Sequence, residues 1–134
     1  MKLSTKSRYG LNALYHLAKS SHTMTLKELS TETLVTQPYL EKVLGMLRRG
    51  GLVKTSRGTT GGYEIAKDPS EITIGQVLRV LEKDLVFSDC AKSGKCDNTA
   101  CPNKNIFKVI YDNLNEVLDS ITLQDMIKGE QTNG

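Results

Sequence analysis

Three cysteines, Cys90, Cys96 and Cys101, stand in the pattern Cys-x5-Cys-x4-Cys within a stretch rich in Gly, Asn, Asp and Lys. That stretch has almost no apolar residue to fold it otherwise, so the three thiols can converge on one point. Thiolates are soft donors and suit an iron–sulfur cluster or zinc. The Cys-x2-Cys pairs of a zinc ribbon are missing, so spacing alone leaves the metal open, with unligated thiols as the plain alternative. An odd number of cysteines argues against a disulfide scaffold.

A second set of residues has the chemistry of nucleic-acid contact. Thr36, Gln37, Tyr39, Glu41, Lys42 and Arg48 fall on one side of a helical repeat whose other side is Leu40, Val43, Leu44 and Leu47. Gln and Tyr can reach base edges or phosphates, and Lys42 and Arg48 suit phosphates. Arg57, beside Gly58 in a glycine-rich turn, is placed to enter a narrow minor groove. A solvated helix face is the bland reading of any one of them. The charge distribution weighs against it: residues 1–68 carry eleven Lys/Arg against five Asp/Glu, and residues 69–134 carry seven against ten. A basic half joined to an acidic half suggests a polyanion-binding unit beside something else. Signs of catalysis are weak. There is no Cys-His pair in a recognisable local motif and no phosphate-cradling Gly-rich loop before a helix, which leaves a small thiol or metal enzyme as a distant alternative. His16, in an ordinary helix, and His22, in a polar turn, read as structural.

The elements that must position these residues emerge from periodicity and caps. Leu11, Leu14, Leu17 and Ala18 mark a helix over about 4–20. Thr25-Leu26-Lys27-Glu28 reads as a capping box opening a short second helix. Thr36 is the N-cap and Pro38 a first-turn residue of the third, which Gly50-Gly51 closes with one glycine left-handed. Segments 52–55 and 63–66 are extended, joined by a loop able to turn a hairpin. Asp68-Pro69-Ser70 marks a boundary, and Thr73-Ile74-Gly75-Gln76 caps a helix over 73–82. From 83 to about 103 no period is visible. Phe107, Ile110, Leu114, Val117, Leu118 and Ile121 define a long helix over about 104–120, with more apolar residues than one small domain covers, so a two-fold pairing would hide them. Thr122 to Asp125 caps at most one more short turn before a frayed tail.

Three helices and then a hairpin is the order of a winged helix-turn-helix, in which the third helix enters the major groove. The expected fold is therefore mainly α with a small β-hairpin. It divides into a winged DNA-binding unit over 1–68 and, over 69–134, a cysteine loop with a dimerisation helix. At 134 residues, 38% hydrophobic and 25% charged, the chain has material for about one modest core and is not disordered by composition. No apolar run approaches the ~20 residues of a membrane span. The opening Met-Lys-Leu-Ser-Thr-Lys-Ser-Arg lacks the apolar stretch of a secretory signal, so a cytoplasmic protein is expected.

The residues also carry a resemblance. The opening Met1 to Gly10, Tyr39-Leu40-Glu41, Leu47 to Val53, Arg57-Gly58 with Gly61-Gly62-Tyr63, and Ile72 to Val77 together resemble the IscR-type winged-helix transcription regulators, in order and over nearly the whole chain. That family includes nitric-oxide sensors and cysteine-metabolism regulators. The resemblance implies a homodimeric DNA-binding regulator, a repressor or dual regulator, bound to a near-palindromic double-stranded operator. The residue matching Glu41 would lie near the bases and the one matching Arg57 in the minor groove. It further implies a 2Fe–2S cluster on Cys90, Cys96 and Cys101. Cysteine-metabolism members lack the three cysteines, so the chain resembles the cluster-binding branch; the alternative is a cluster-free regulator of cysteine and sulfur metabolism controlled by a protein partner or thiol oxidation. One departure stands out. Cluster-assembly regulators take the fourth ligand from a His three positions after the third Cys, where this chain has Lys104. Relatives that use the first helix instead would find Arg8 and Asn12, neither an iron ligand. Asp89, Asp97, Asn103 or a small molecule remain for that role.

Overall fold

A computed structural model describes residues 3–20, 22–57, 61–82 and 102–133. Helix α1 (Thr5–Lys19) opens at Ser4, whose hydroxyl accepts from the Ser7 N–H. Helix α2 (Leu26–Thr33) opens at Thr25, which accepts from the Glu28 N–H at 3.1 Å. The Glu28 carboxylate does not turn back to complete the box; it lies 4.0 Å from His22 Nε2. Helix α3 (Gln37–Arg49) begins after an extended Thr36 with Pro38 in its first turn, yet the Thr36 hydroxyl makes no capping bond. The exit from α3 is a Schellman turn. Gly51, at φ 79°, donates to the Arg48 carbonyl and Leu52 donates to the Leu47 carbonyl, each at 3.0 Å, while the Leu47 and Leu52 side chains are buried.

Strands β1 (Val53–Ser56) and β2 (Gly62–Ile65) pair antiparallel, with Lys54 opposite Glu64 and Thr55 opposite Tyr63. Tyr63 also exchanges two backbone hydrogen bonds with Met24, at 2.9 and 2.7 Å. A Cβ at Gly62 would collide with the Met24 carbonyl, so the close approach that ties the hairpin to the segment before α2 needs glycine there. After a 3-10 turn (Pro69–Glu71) come α4 (Ile74–Leu81), α5 (Asn103–Ser120) and α6 (Leu123–Asn133). Both bonds of the capping box expected at Thr73 and Gln76 are present.

One core runs through all of this. Ala13, Leu14 and Leu17 of α1, Leu29 of α2 and the leucines of α3 pack with Val77 and Leu81 of α4. Ile72 and Leu123 close it from the far side. The helix expected to open the second unit thus buries its apolar face in the winged unit. Gly10 makes this possible, since a Cβ there would strike Leu81 of α4.

The C-terminal segment differs from expectation. Thr122 and Asp125 do cap it, each backbone N–H donating to the other's side chain at 3.0 and 3.1 Å. They open an eleven-residue helix rather than a short turn, with Leu123 wholly buried and α6 packed on α1 and the 3-10 turn. Its sequence is mostly polar, so its stability comes from docking rather than from local periodicity. The junction is stitched by backbone bonds from Ile74 N–H to Ile121 and from Leu123 N–H to Ile72, at 2.8 and 3.0 Å.

Candidate nucleic-acid interface

The core face of α3 is Leu40, Val43, Leu44 and Leu47, all fully buried. Its opposite face is therefore turned outward: Gln37, Glu41, Lys42 and Arg48 are exposed, as is Thr36 ahead of them. With no capping duty, the Thr36 hydroxyl is available to a ligand. Tyr39 departs from the expected set. It is half-buried, its ring edge-on to Tyr9 of α1 at 5.5 Å, and it packs against the core. An aromatic ring at that position fixes the helix entry more than it offers a free contact.

The hairpin stands beside α3. Tyr63 on β2 feels both Glu41 and Arg48 of α3: burial pushes its phenol above the ordinary value, the Glu41 charge adds to that and Arg48 opposes it. Helix α3 packs against β1, and across the strands Lys54 and Glu64 pair at 3.5 Å. Arg57 is exposed at the end of β1. Gly58 lies outside the described residues, as do Cys90, Cys96, Cys101, Asp89 and Asp97. Arg8 on α1 is exposed and Asn12 half-buried. His16 lies in α1 with its ring edge-on to Tyr15, and His22 bonds Ser20. Among the described residues no group of His, Cys, Asp and Glu is placed to hold a metal ion.

Two contacts that sequence reading missed fasten the helices flanking the cysteine segment, one of them to the winged unit and the other to each other. Glu82, at the end of α4, accepts from the Ser4 N–H at 2.7 Å and the buried Ser7 hydroxyl at 2.6 Å. Those bonds hold its carboxyl below the ordinary glutamate value. Arg79 grips Asp119 through both terminal guanidinium nitrogens, at 2.6 and 3.1 Å, and also donates to the Asn115 side chain at 2.8 Å. Asp119 is accordingly held below the usual carboxylate range. Gly75 leaves room for it, since a Cβ there would meet the Asp119 carboxylate. Partners 36 to 78 residues apart leave no local signal in the sequence.

These contacts set α5 antiparallel to α4, and its first half continues past the end of α4. Of the apolar residues read as one seam, Phe107, Leu114 and Leu118 are half-buried on the inner side. The outward face is carried by Ile106, Val109 and Val117, at 58%, 57% and 53% exposure, with Ile110 and Ile121 beside them. Ile106 and Val109 were not singled out by periodicity, although they lie close to Ile110 on the same helix.

A helical reading face beside a two-stranded wing, set on a three-helix core, defines a winged-helix DNA-binding protein. Comparison with known proteins carries this to a family. The profile of the Rrf2 family, described as "Iron-dependent Transcriptional regulator", matches residues 3–129. Bacillus subtilis CymR, an HTH-type transcriptional regulator, is 36% identical over 98% of this chain and 95% of its own length. The solved structure of CymR, described as the global cysteine regulator of B. subtilis, superposes with a TM-score of 0.83 over 96% of this chain and 97% of that one, at 35% identity. T. potens IscR superposes at 0.78 over 97% and 88%, at 36% identity. The chain belongs to the Rrf2 family of transcription regulators. It is a DNA-binding regulator, and membership sets aside the reading as a small thiol or metal enzyme. No helix among the described residues is long and apolar enough to cross a membrane.

Proposed function

We propose that this regulator is a homodimeric repressor that reads a near-palindromic operator and responds to iron–sulfur status. The observation that carries the reading of DNA is the outward face of α3, where Gln37, Glu41, Lys42 and Arg48 are exposed opposite a fully buried stripe. In this reading Gln37 and Glu41 lie near base edges, Lys42 and Arg48 meet phosphates, and Thr36 and Tyr39 set the helix entry. Arg57 with Gly58 would track the minor groove. The exposed Ile106, Val109 and Val117 on α5 support a two-fold pairing, which would place two reading faces on two half-sites.

The donor set of Cys90, Cys96 and Cys101 fits a 2Fe–2S cluster, because thiolates are the ligands such clusters take. When bound, the group supplies a redox-sensitive and oxygen-sensitive centre. The chain's own contribution is three deprotonated thiols and, with Lys104 where cluster-assembly relatives have His, a fourth position of different chemistry. Likeness to CymR, a cysteine regulator by its description, supports a second reading: a regulator of sulfur metabolism controlled by a protein partner or by oxidation of these thiols. Iron and sulfide analysis of anaerobically purified protein, beside its visible spectrum and operator binding, separates the two. A coloured protein with two irons per chain supports the first, and a colourless iron-free regulator that still binds its operator supports the second.

A further inference from the structure

Helix α2 ends at Leu34 in a conformation that leucine disfavours. Its backbone is left-handed, at φ 60° and ψ 28°, and it is the one non-glycine residue with positive φ among those described. The residue is 91% exposed. A Cβ in this region crowds the neighbouring peptide, and glycine or asparagine is the residue such a helix end favours. An isobutyl group left in water also gains nothing from folding. Neither the backbone nor the packing of the chain itself therefore calls for leucine here.

The turn fixes where this side chain stands. Leu34 N–H donates to the Ser30 carbonyl at 2.9 Å, the Ser30 hydroxyl donates to the Val35 carbonyl at 2.5 Å, and Val35 is buried. Leu34 cannot fold inward without undoing these bonds. It precedes Thr36 by two residues, and Thr36, Gln37 and Pro38 are all exposed. In a docked helix-turn-helix the start of the second helix meets the base edges. The apolar feature a base pair presents in the major groove is the 5-methyl group of thymine.

We propose that Leu34 is a specificity-determining DNA contact, covering a thymine methyl in each half-site next to the start of α3. The inference rests on the reading surface proposed above, with α3 in the major groove. Leu34→Gly and Leu34→Asn suit the backbone and remove the two apolar methyl groups, so neither variant should melt below the wild type.

The test uses duplexes enriched from a random pool by the wild-type full chain, with each dT replaced in turn by dU. The wild type should lose about fourfold in affinity at one dT per half-site, the worth of one buried methyl group. Both variants should bind the unmodified duplex more weakly by a similar factor and ignore that replacement. Variants that bind like the wild type, or that keep its penalty at every dU, overturn the contact. A wild-type chain that enriches no sequence overturns the reading surface itself, and the contact with it.

Discussion

Arg57 and Glu82 are two charged residues with opposite situations, and each yields a prediction. Arg57 is exposed at the end of β1. Arg57→Ala should leave the melting temperature unchanged and weaken operator binding by ~1–3 kcal/mol, with loss of A·T preference at the wing position. Titrations on operator variants at one salt concentration check both. Glu82 instead works inside the molecule, its carboxylate held low by Ser4 and Ser7. A carboxyl with a depressed folded value stabilises the fold wherever the unfolded chain is also ionised, above its ordinary value of about 4.3. That contribution is lost as pH falls through the folded value. Glu82→Gln should therefore be less stable than the wild type at pH 7 by about 1–2 kcal/mol, the gap closing below pH ~4. Chemical denaturation across that range reads it. Sequence singles out Arg57 as a candidate contact, because a cation in a glycine-rich turn is a local pattern, and the structure leaves it exposed. Sequence could not find Glu82, whose partners lie 75 and 78 positions away. Nor could it find the backbone of Leu34, which runs against residue preference.

Among the elements, those with their own punctuation were legible. The Thr73 box, the Gly51 turn and the stripe of α3 are local, and the structure reproduces them. The split of α5 into inner and outer faces was not legible, because its apolar residues cover more than one stripe and only docking on α4 decides which turns in. Helix α6 was underestimated for the same reason. The outer face of α5 gives the third prediction. Val109→Asp, at an exposed position, should leave the single-chain fold intact while placing a carboxylate in the proposed pairing surface. Sedimentation should show monomers, and operator affinity should fall because two half-sites are no longer engaged together. A stable dimer with native affinity would exclude this face. Leu114→Asp is a poorer probe, since Leu114 is half-buried and its loss would disturb the packing of α5.

For the whole molecule the question is how the cysteines reach the DNA. Residues 83–101 join α4, which shares the core of the winged unit, to α5, which carries the proposed pairing face. A ligand shifts such a system only by its different affinity for two arrangements, and couplings of this kind run at about 1–3 kcal/mol. Replacing Cys90, Cys96 and Cys101 together by Ala should abolish cluster binding and change operator affinity by roughly 5- to 150-fold against the loaded wild type. The winged unit should melt as before, because among the described residues its core is built from α1 to α4, β1, Met24, Val35, Leu52, Ile72 and Leu123. Equal affinities on every operator tested would leave the cysteines without a regulatory role.

The clasp of Arg79 on Asp119, with the backbone stitch between Ile72–Ile74 and Ile121–Leu123, has a consequence for descent with modification. The chain leaves α4 and re-enters α5 on supports fastened to each other independently of what lies between. Residues 83–101 thus connect two helices that are already docked on each other rather than two separate bodies. Doubling the length of a flexible connection across fixed ends costs only ~0.6 kcal/mol. Such a junction tolerates exchange: lineages could carry a segment of different binding chemistry there while α1 to α4 stay folded. Grafting an unrelated loop of similar length between Glu82 and Pro102 should give a folded protein that keeps the proposed pairing and loses the proposed iron–sulfur response.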